Sequence, residues 1–151
     1  AGGLPPMPLI DLCYSGRFTR DELKRRLYGQ GGVFAYLGTK DIRRVEAMIA
    51  GGDERARLVW EAMVYQIAKA IGAMAAVVDF RPDGVILTGG MAHSERIVAA
   101  LTERVGALGP VTLYPGSHES EALALGAARV LAGVETARSW PVAPEVEALP
   151  W

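Results

Sequence analysis

Cysteine is nearly absent from these 151 residues: Cys13 is the one thiol, so no disulfide can close within the chain. That composition points to a reducing compartment, and a cytoplasmic location is expected. Neither sign of charge predominates, with 16 Lys and Arg against 17 Asp and Glu. Without a basic excess nothing drives salt-dependent binding to a phosphate backbone, and no nucleic-acid partner is expected. Long apolar runs are missing too. The best one, Ile67 to Phe80, is broken by Lys69 and Asp79, short of the roughly 18 uninterrupted residues of a membrane span, so no membrane partner is expected. The opening, Ala1-Gly2-Gly3-Leu4-Pro5-Pro6, has no positive or hydrophobic region of a secretory signal. It also lacks an initiator Met, and a processed or excised piece is expected.

Several catalytic signatures are absent as well. There is no G-x-x-x-x-G-K-[ST] phosphate loop, and Gly29-Gln30-Gly31-Gly32 lacks the spacing of a dinucleotide fingerprint. No G-x-S-x-G elbow occurs, and nothing around Cys13 would activate it. His93 and His118, with one distant cysteine, make no zinc pattern. What remains is apolar material for a core, 50% of residues, in a length suited to one domain.

Along the chain, Gly2 to Pro8 reads as extended, polyproline-like backbone. Thr19 and Glu22 have capping-box spacing, with Phe18 and Leu23 at staple spacing, and the helix they open should stop at Gly29. The apolar run Val33 to Leu37 predicts a buried strand or extended segment. Ile42, Val45, Met48 and Ile49 fall at helical spacing up to Gly51-Gly52. Asp53 is a good N-cap for a long helix reaching about Val78, whose C-terminal half is apolar nearly all round and is expected to be buried.

The last third repeats one pattern. Val85-Ile86-Leu87-Thr88 predicts a strand running into Gly89-Gly90-Met91-Ala92-His93-Ser94 and then a helix. After Gly109-Pro110, Val111-Thr112-Leu113-Tyr114 predicts a second strand, running into Pro115-Gly116-Ser117-His118 and a final helix to about Leu131. Such units make parallel strands by crossover, in an α/β fold. Both strand-to-helix loops then lie at the carboxyl edge of the sheet, where open α/β sheets bind ligands. Beyond Val134 a Pro- and Glu-rich tail, Pro141 to Trp151, is expected to be loosely held.

Each candidate residue has a plain reading beside its functional one. Gly89-Gly90 serves either a tight turn or the close approach of a ring or phosphate to the backbone. Asp41 and Arg43 read as an N-cap carboxylate and a solvated guanidinium, or as groups for ribose hydroxyls and for phosphate or base stacking. Glu119 and Glu121 favour a helix N-terminus; the alternative is a magnesium-side carboxylate. Being two apart, at most one of them should face a cleft. Ala122, Ala124, Gly126, Ala127 and Ala128 make the last helix thin, which predicts close packing against the sheet.

Four separated blocks occur in an order that resembles the butyrate kinases. They are Tyr36-Leu37-Gly38-Thr39-Lys40-Asp41-Ile42-Arg43-Arg44-Val45-Glu46, the stretch Glu61 to Lys69, Ile86 to Ser94, and Tyr114-Pro115-Gly116 with Glu119, Glu121 and Ala122-Leu123-Ala124. Upstream, Asp11 to Gly16 with Thr19 and Glu22-Leu23-Lys24 fits too. The resemblance covers residues 1–133, followed by the tail 134–151. It implies the superfamily of acetate and sugar kinases, heat-shock ATPases and actin. The fold implied is ribonuclease-H-like (actin-like ATPase), as a partial carboxyl-terminal domain with few parallel strands and long helices.

The reaction implied is reversible transfer from ATP to butanoate, giving ADP and butanoyl phosphate, with Mg²⁺. The Asp-x-Arg at the nucleotide in acetate kinase relatives falls on Asp41, Ile42 and Arg43. Their Thr-Gly-Gly-Ile-Gly-Glu-Asn adenosine loop falls on Thr88, Gly89, Gly90, Met91, Ala92, His93 and Ser94. The last three differ from Gly-Glu-Asn, which argues against acetate kinase itself. The magnesium-side glutamate falls on Glu119, with Glu121 as the alternative. No catalytic residue falls within the chain, so it is expected to supply the nucleotide half of a homodimeric enzyme and not to turn over alone. Two alternatives stand beside this: a non-catalytic interaction or dimerisation module, and a kinase for propionate or a branched-chain acid.

Overall fold

A computed structural model describes residues 3–139 of the chain. They fall into two compact units that part between Gly116 and Ser117. The tail from Pro141 to Trp151 lies outside the described residues.

The first unit opens with α1, Pro6–Tyr14. This corrects the extended backbone expected for Gly2 to Pro8. Pro6 occupies the first turn, where a missing N–H costs nothing and a fixed φ suits a helix. Helix α2, Arg20–Gly29, begins at a complete capping box. The Thr19 backbone N–H donates to Glu22 at 2.8 Å, and the Glu22 N–H donates to Thr19 Oγ1 at 3.3 Å. The run Val33–Leu37 is a short helix, α3, not the expected strand. Gly32 at φ 58° starts it and Gly38 at φ 69° ends it, both in the positive-φ region that favours glycine. A five-residue apolar run has no period that separates strand from buried helix.

Asp41 caps α4, Ile42–Ala50, and Asp53 caps the long α5, Glu54–Ala75, accepting from the Ala56 N–H at 2.9 Å. A 3-10 turn, Ala76–Val78, continues α5. Strand β1, Val85–Gly89, is followed by a 3-10 turn over Gly90–His93 and by α6, Glu95–Val105. Strand β2, Val111–Pro115, pairs parallel to β1 in a register that sets Val85 beside Val111 and Gly89 beside Pro115. These are the two strands among the described residues.

The core of this unit lies where α4, α5 and α6 meet. Val45, Ala56, Trp60, Val64, Ile97 and Leu101 form one buried cluster, with Ile42, Met63 and Leu87 packed against it. The buried part of α5 is therefore mainly its first half. The second half with the turn that continues it, expected to be covered, leaves Met74 66% and Val77 76% exposed. An all-round apolar surface shows only that a partner surface is wanted. Among the described residues Glu54–Val78 is also the one helix long and apolar enough to cross a membrane by length and composition. Its Ala56, Trp60 and Val64 are core residues here.

The second unit carries α7, Glu119–Leu131. No α7 residue is buried, and Leu123 and Leu131 are exposed.

Shortening Ile97, 1% exposed, to Ala is expected to lower the unfolding free energy by about 2–5 kcal/mol in a urea titration. Val77→Ala should shift it by less than about 0.5 kcal/mol. Equal losses would contradict this placement of the core.

Candidate functional site

The carboxyl ends of β1 and β2 lie side by side. The Gly89 N–H donates to the Gly116 carbonyl at 3.1 Å, and the Gly116 N–H donates to the Gly89 carbonyl at 3.1 Å. Both strands thus turn at one edge of the sheet. At Gly89 the turn demands glycine, because φ 80° with ψ −174° is a region other residues scarcely enter. Gly90 has no such requirement. A Cβ built there would meet nothing within 4 Å. The two glycines therefore separate: the first shapes the turn, and the second leaves space open above it. The 3-10 turn then buries Ala92, 8% exposed, and leaves Met91 and His93 exposed.

Helix α4 starts beside this loop. Asp41 Oδ1 accepts from the Arg43 N–H at 3.0 Å, which is the cap, and also from Arg43 Nε at 3.0 Å. Oδ2 accepts from Arg43 Nη2 at 2.8 Å. The cap is the one that the capping reading of Asp41 predicts; the bidentate side-chain pair with Arg43, expected there only as a solvated guanidinium, is an addition the structure makes. Arg43 hydrogen bonding holds the Asp41 carboxyl below the ordinary aspartate range, and Asp41 in turn raises the guanidinium. The Arg43 side chain remains 90% exposed.

Ile42, between them, faces a cavity of about 300 Å³ that Met91 also lines. Its other walls include Tyr28, Phe34, Lys40 and Met63. The ammonium of Lys40 lies 5.5 Å from the centre of the Phe34 ring. The start of α4 and the Gly89–Ser94 loop are also joined directly, because Ser94 Oγ donates to Glu46 Oε1 at 2.5 Å. Apolar and aromatic walls suit a ring, and an ammonium among them suits an anion. Tyr28, Phe34, Lys40, Met63 and Glu46 did not stand out in the sequence. Lys40, directly before Asp41, was the one carrying a local signal, a cation at a helix start.

Glu119 belongs to the second unit. It accepts from the Ser117 hydroxyl, which holds its carboxyl below the ordinary glutamate range. Glu121 lies 3.8 Å from His118 Nδ1. No three His, Cys, Asp or Glu side chains converge among the described residues. A resident, fully protein-caged ion is therefore not what Glu119 fits; a single carboxylate facing a hydrated Mg²⁺ carried on phosphates needs no such cage.

A family model described as the acetokinase family matches residues 6–121. The chain belongs to that family. It is 50% identical over 135 residues to a probable butyrate kinase 2 of Caldanaerobacter subterraneus subsp. tengcongensis, covering 89% of this chain and 38% of the relative. It is 47% identical over 133 residues to a probable butyrate kinase of Bacteroides thetaiotaomicron, covering 88% of this chain and 38% of the relative. The chain thus spans little more than a third of these relatives. Among solved structures it resembles an acetate kinase of Porphyromonas gingivalis, with a TM-score of 0.76 at 20% identity over 87% of this chain and 39% of that one. A propionate kinase of Francisella tularensis gives 0.67 at 19% identity over 79% of this chain and 36% of that one. The fold is therefore the actin-like ATPase, ribonuclease-H-like one, here as a partial domain with a small parallel sheet.

A carboxylate held below its ordinary pKa in the fold stabilises it above the unfolded pKa, and that stabilisation fades as pH falls through the folded value. Asp41 is expected to titrate below ordinary aspartate in a carboxyl carbon NMR titration. Arg43→Ala should move it back up. An Asp41 midpoint at the ordinary value in both would contradict the bidentate pair.

Proposed function

We propose that this chain carries the nucleotide-binding part of a short-chain carboxylate kinase whose acid is butanoate. The reaction is ATP plus butanoate to ADP plus butanoyl phosphate, in either direction. The observation that carries the reading is that Ile42, at the start of α4, and Met91, in the turn after β1 and 49 residues further along the chain, line one cavity at the carboxyl edge of the sheet. An adenine ring between them would meet apolar surface on both faces. Gly90 contributes by having no side chain, so the backbone itself can approach the nucleotide.

Asp41 and Arg43 meet the ribose and the base or phosphates. The exposed guanidinium can leave Asp41 for the nucleotide, which frees carboxylate oxygens for ribose hydroxyls. Lys40 adds a point charge on the phosphate side. Gly89 shapes the turn, Ala92 roots it in the protein, and Ser94 ends it; His93 stands on its exposed side. Glu119 is the carboxylate of this chain that would hold a hydrated Mg²⁺, an ion that would supply charge neutralisation at phosphates.

The names of the relatives favour butanoate over propionate or a branched-chain acid. Phosphoryl transfer is chiefly positioning and charge stabilisation at both reactants. This cavity accounts for the nucleotide side, and turnover belongs to the longer, homodimeric protein. Cys13, exposed and unpaired, supports a reducing, cytoplasmic setting.

Calorimetric titration with Mg-ADP tests the reading. The chain should bind, and Arg43→Ala should weaken binding by about tenfold, as loss of a charged hydrogen bond does. Gly90→Ala should weaken binding without lowering the urea midpoint, since its methyl group meets no protein atom and alanine restricts the unfolded chain. Absence of binding, or one affinity for all three proteins, would contradict the proposal.

A further inference from the structure

The Ser94 hydroxyl is used twice. Its oxygen accepts from the Ile97 N–H at 3.1 Å, which caps α6, and its proton goes to Glu46 Oε1 at 2.5 Å. A cap needs only an acceptor, so the donated proton is a second function that the start of α6 does not explain. Glu46 is not explained by α4 either. It sits half-buried beside the fully buried Val45, where a carboxylate without a partner is costly.

What the pair joins is informative. Glu46 lies four residues after Ile42, on the same face of α4. Ser94 lies three residues after Met91, at the far end of the 3-10 turn. The face of α4 that turns Ile42 toward the cavity thus also holds the end of the loop that carries Met91. Between Gly89 and Ser94 the loop has two glycines, whose backbones are costly to order, and one buried anchor, Ala92. Without the Glu46 link, that anchor and the cap would hold Met91 relative to α6, and its distance from Ile42 would be set only indirectly, through the core that α4 and α6 share.

We propose that Glu46 is a positioning residue. Through Ser94 it fixes the Gly89–Ser94 loop against α4 and so sets the gap between Met91 and Ile42. The consequence for affinity rests on reading that cavity as the nucleotide site; the ordering of the loop does not.

Hydrogen exchange of the peptide covering residues 89–94 reads the ordering without any ligand. In Glu46→Ala this peptide should lose protection by about tenfold, with residues 97–105 of α6 nearly unchanged, as for one lost charged hydrogen bond. Glu46→Gln keeps an oxygen that accepts from Ser94 and should restore most of the protection. Ser94→Asp keeps the cap but sets two carboxylates together, and should be as open as Glu46→Ala. Combining it with Glu46→Gln, whose amide can donate to the new carboxylate, should restore protection. Mg-ADP affinity should follow the same order.

Unchanged protection in Glu46→Ala, or equal loss throughout α5 and α6, would overturn the positioning role. The two readings fail separately. If the parent chain shows the protection pattern but binds no nucleotide, the functional reading fails and the link stands. If the parent binds and Glu46→Ala binds equally well, the link does not set the gap.

Discussion

The cavity depends on the burial of Val45. With no exposed surface, this side chain seats α4 against Trp60 and Val64 of α5 and Ile97 of α6. A helix held at one fully buried point in its middle has its start directed by the caps and contacts at its ends. Here the cap is Asp41, and Ile42 next to it packs against the same cluster. Ile97 is three residues beyond Ser94, so the core contact that seats α4 also seats the end of the Gly89–Ser94 loop. Two loops distant in sequence converge because the helices they lead into share one core.

The chemistry at the cavity is assembled from groups that first serve the fold. Asp41 caps a helix and pairs with Arg43; Ser94 caps another; Gly89 permits a turn that no side chain would tolerate. The electrostatics follow from the same bonds. Exposed pairs of this kind add little to stability in water, so Arg43 can exchange one anionic partner for another at small cost. A largely apolar cavity with exchangeable polar groups beside it is suited to a ligand that is part ring and part phosphate.

Much of this was legible in local pattern. The capping box at Thr19 and Glu22, the caps at Asp41 and Asp53, and the two strand segments depend on residues within a few positions of one another, the parallel pairing follows from the crossover between the strands, and these expectations hold. The apolar run of α3 suggests a strand or extended segment because five residues show no period, and the glycines that bracket it decide for a helix. The opening prolines suggested extended chain, yet a proline in the first helical turn breaks nothing. Exposure of the second half of α5 was invisible, because apolarity signals a preference for burial and not its fulfilment. The bond from Ser94 to Glu46 and the Lys40, Phe34 and Met63 walls are tertiary, with no spacing rule to reveal them.

The central claim is that an adenine ring lies between Ile42 and Met91. Intermolecular nuclear Overhauser effects from the adenine protons of bound Mg-ADP to methyl-labelled chain test it most directly. The account predicts contacts from one bound ring to the methyl groups of both residues. Contacts to only one of them, or to Ile71 and Met74 along the exposed half of α5, would contradict it.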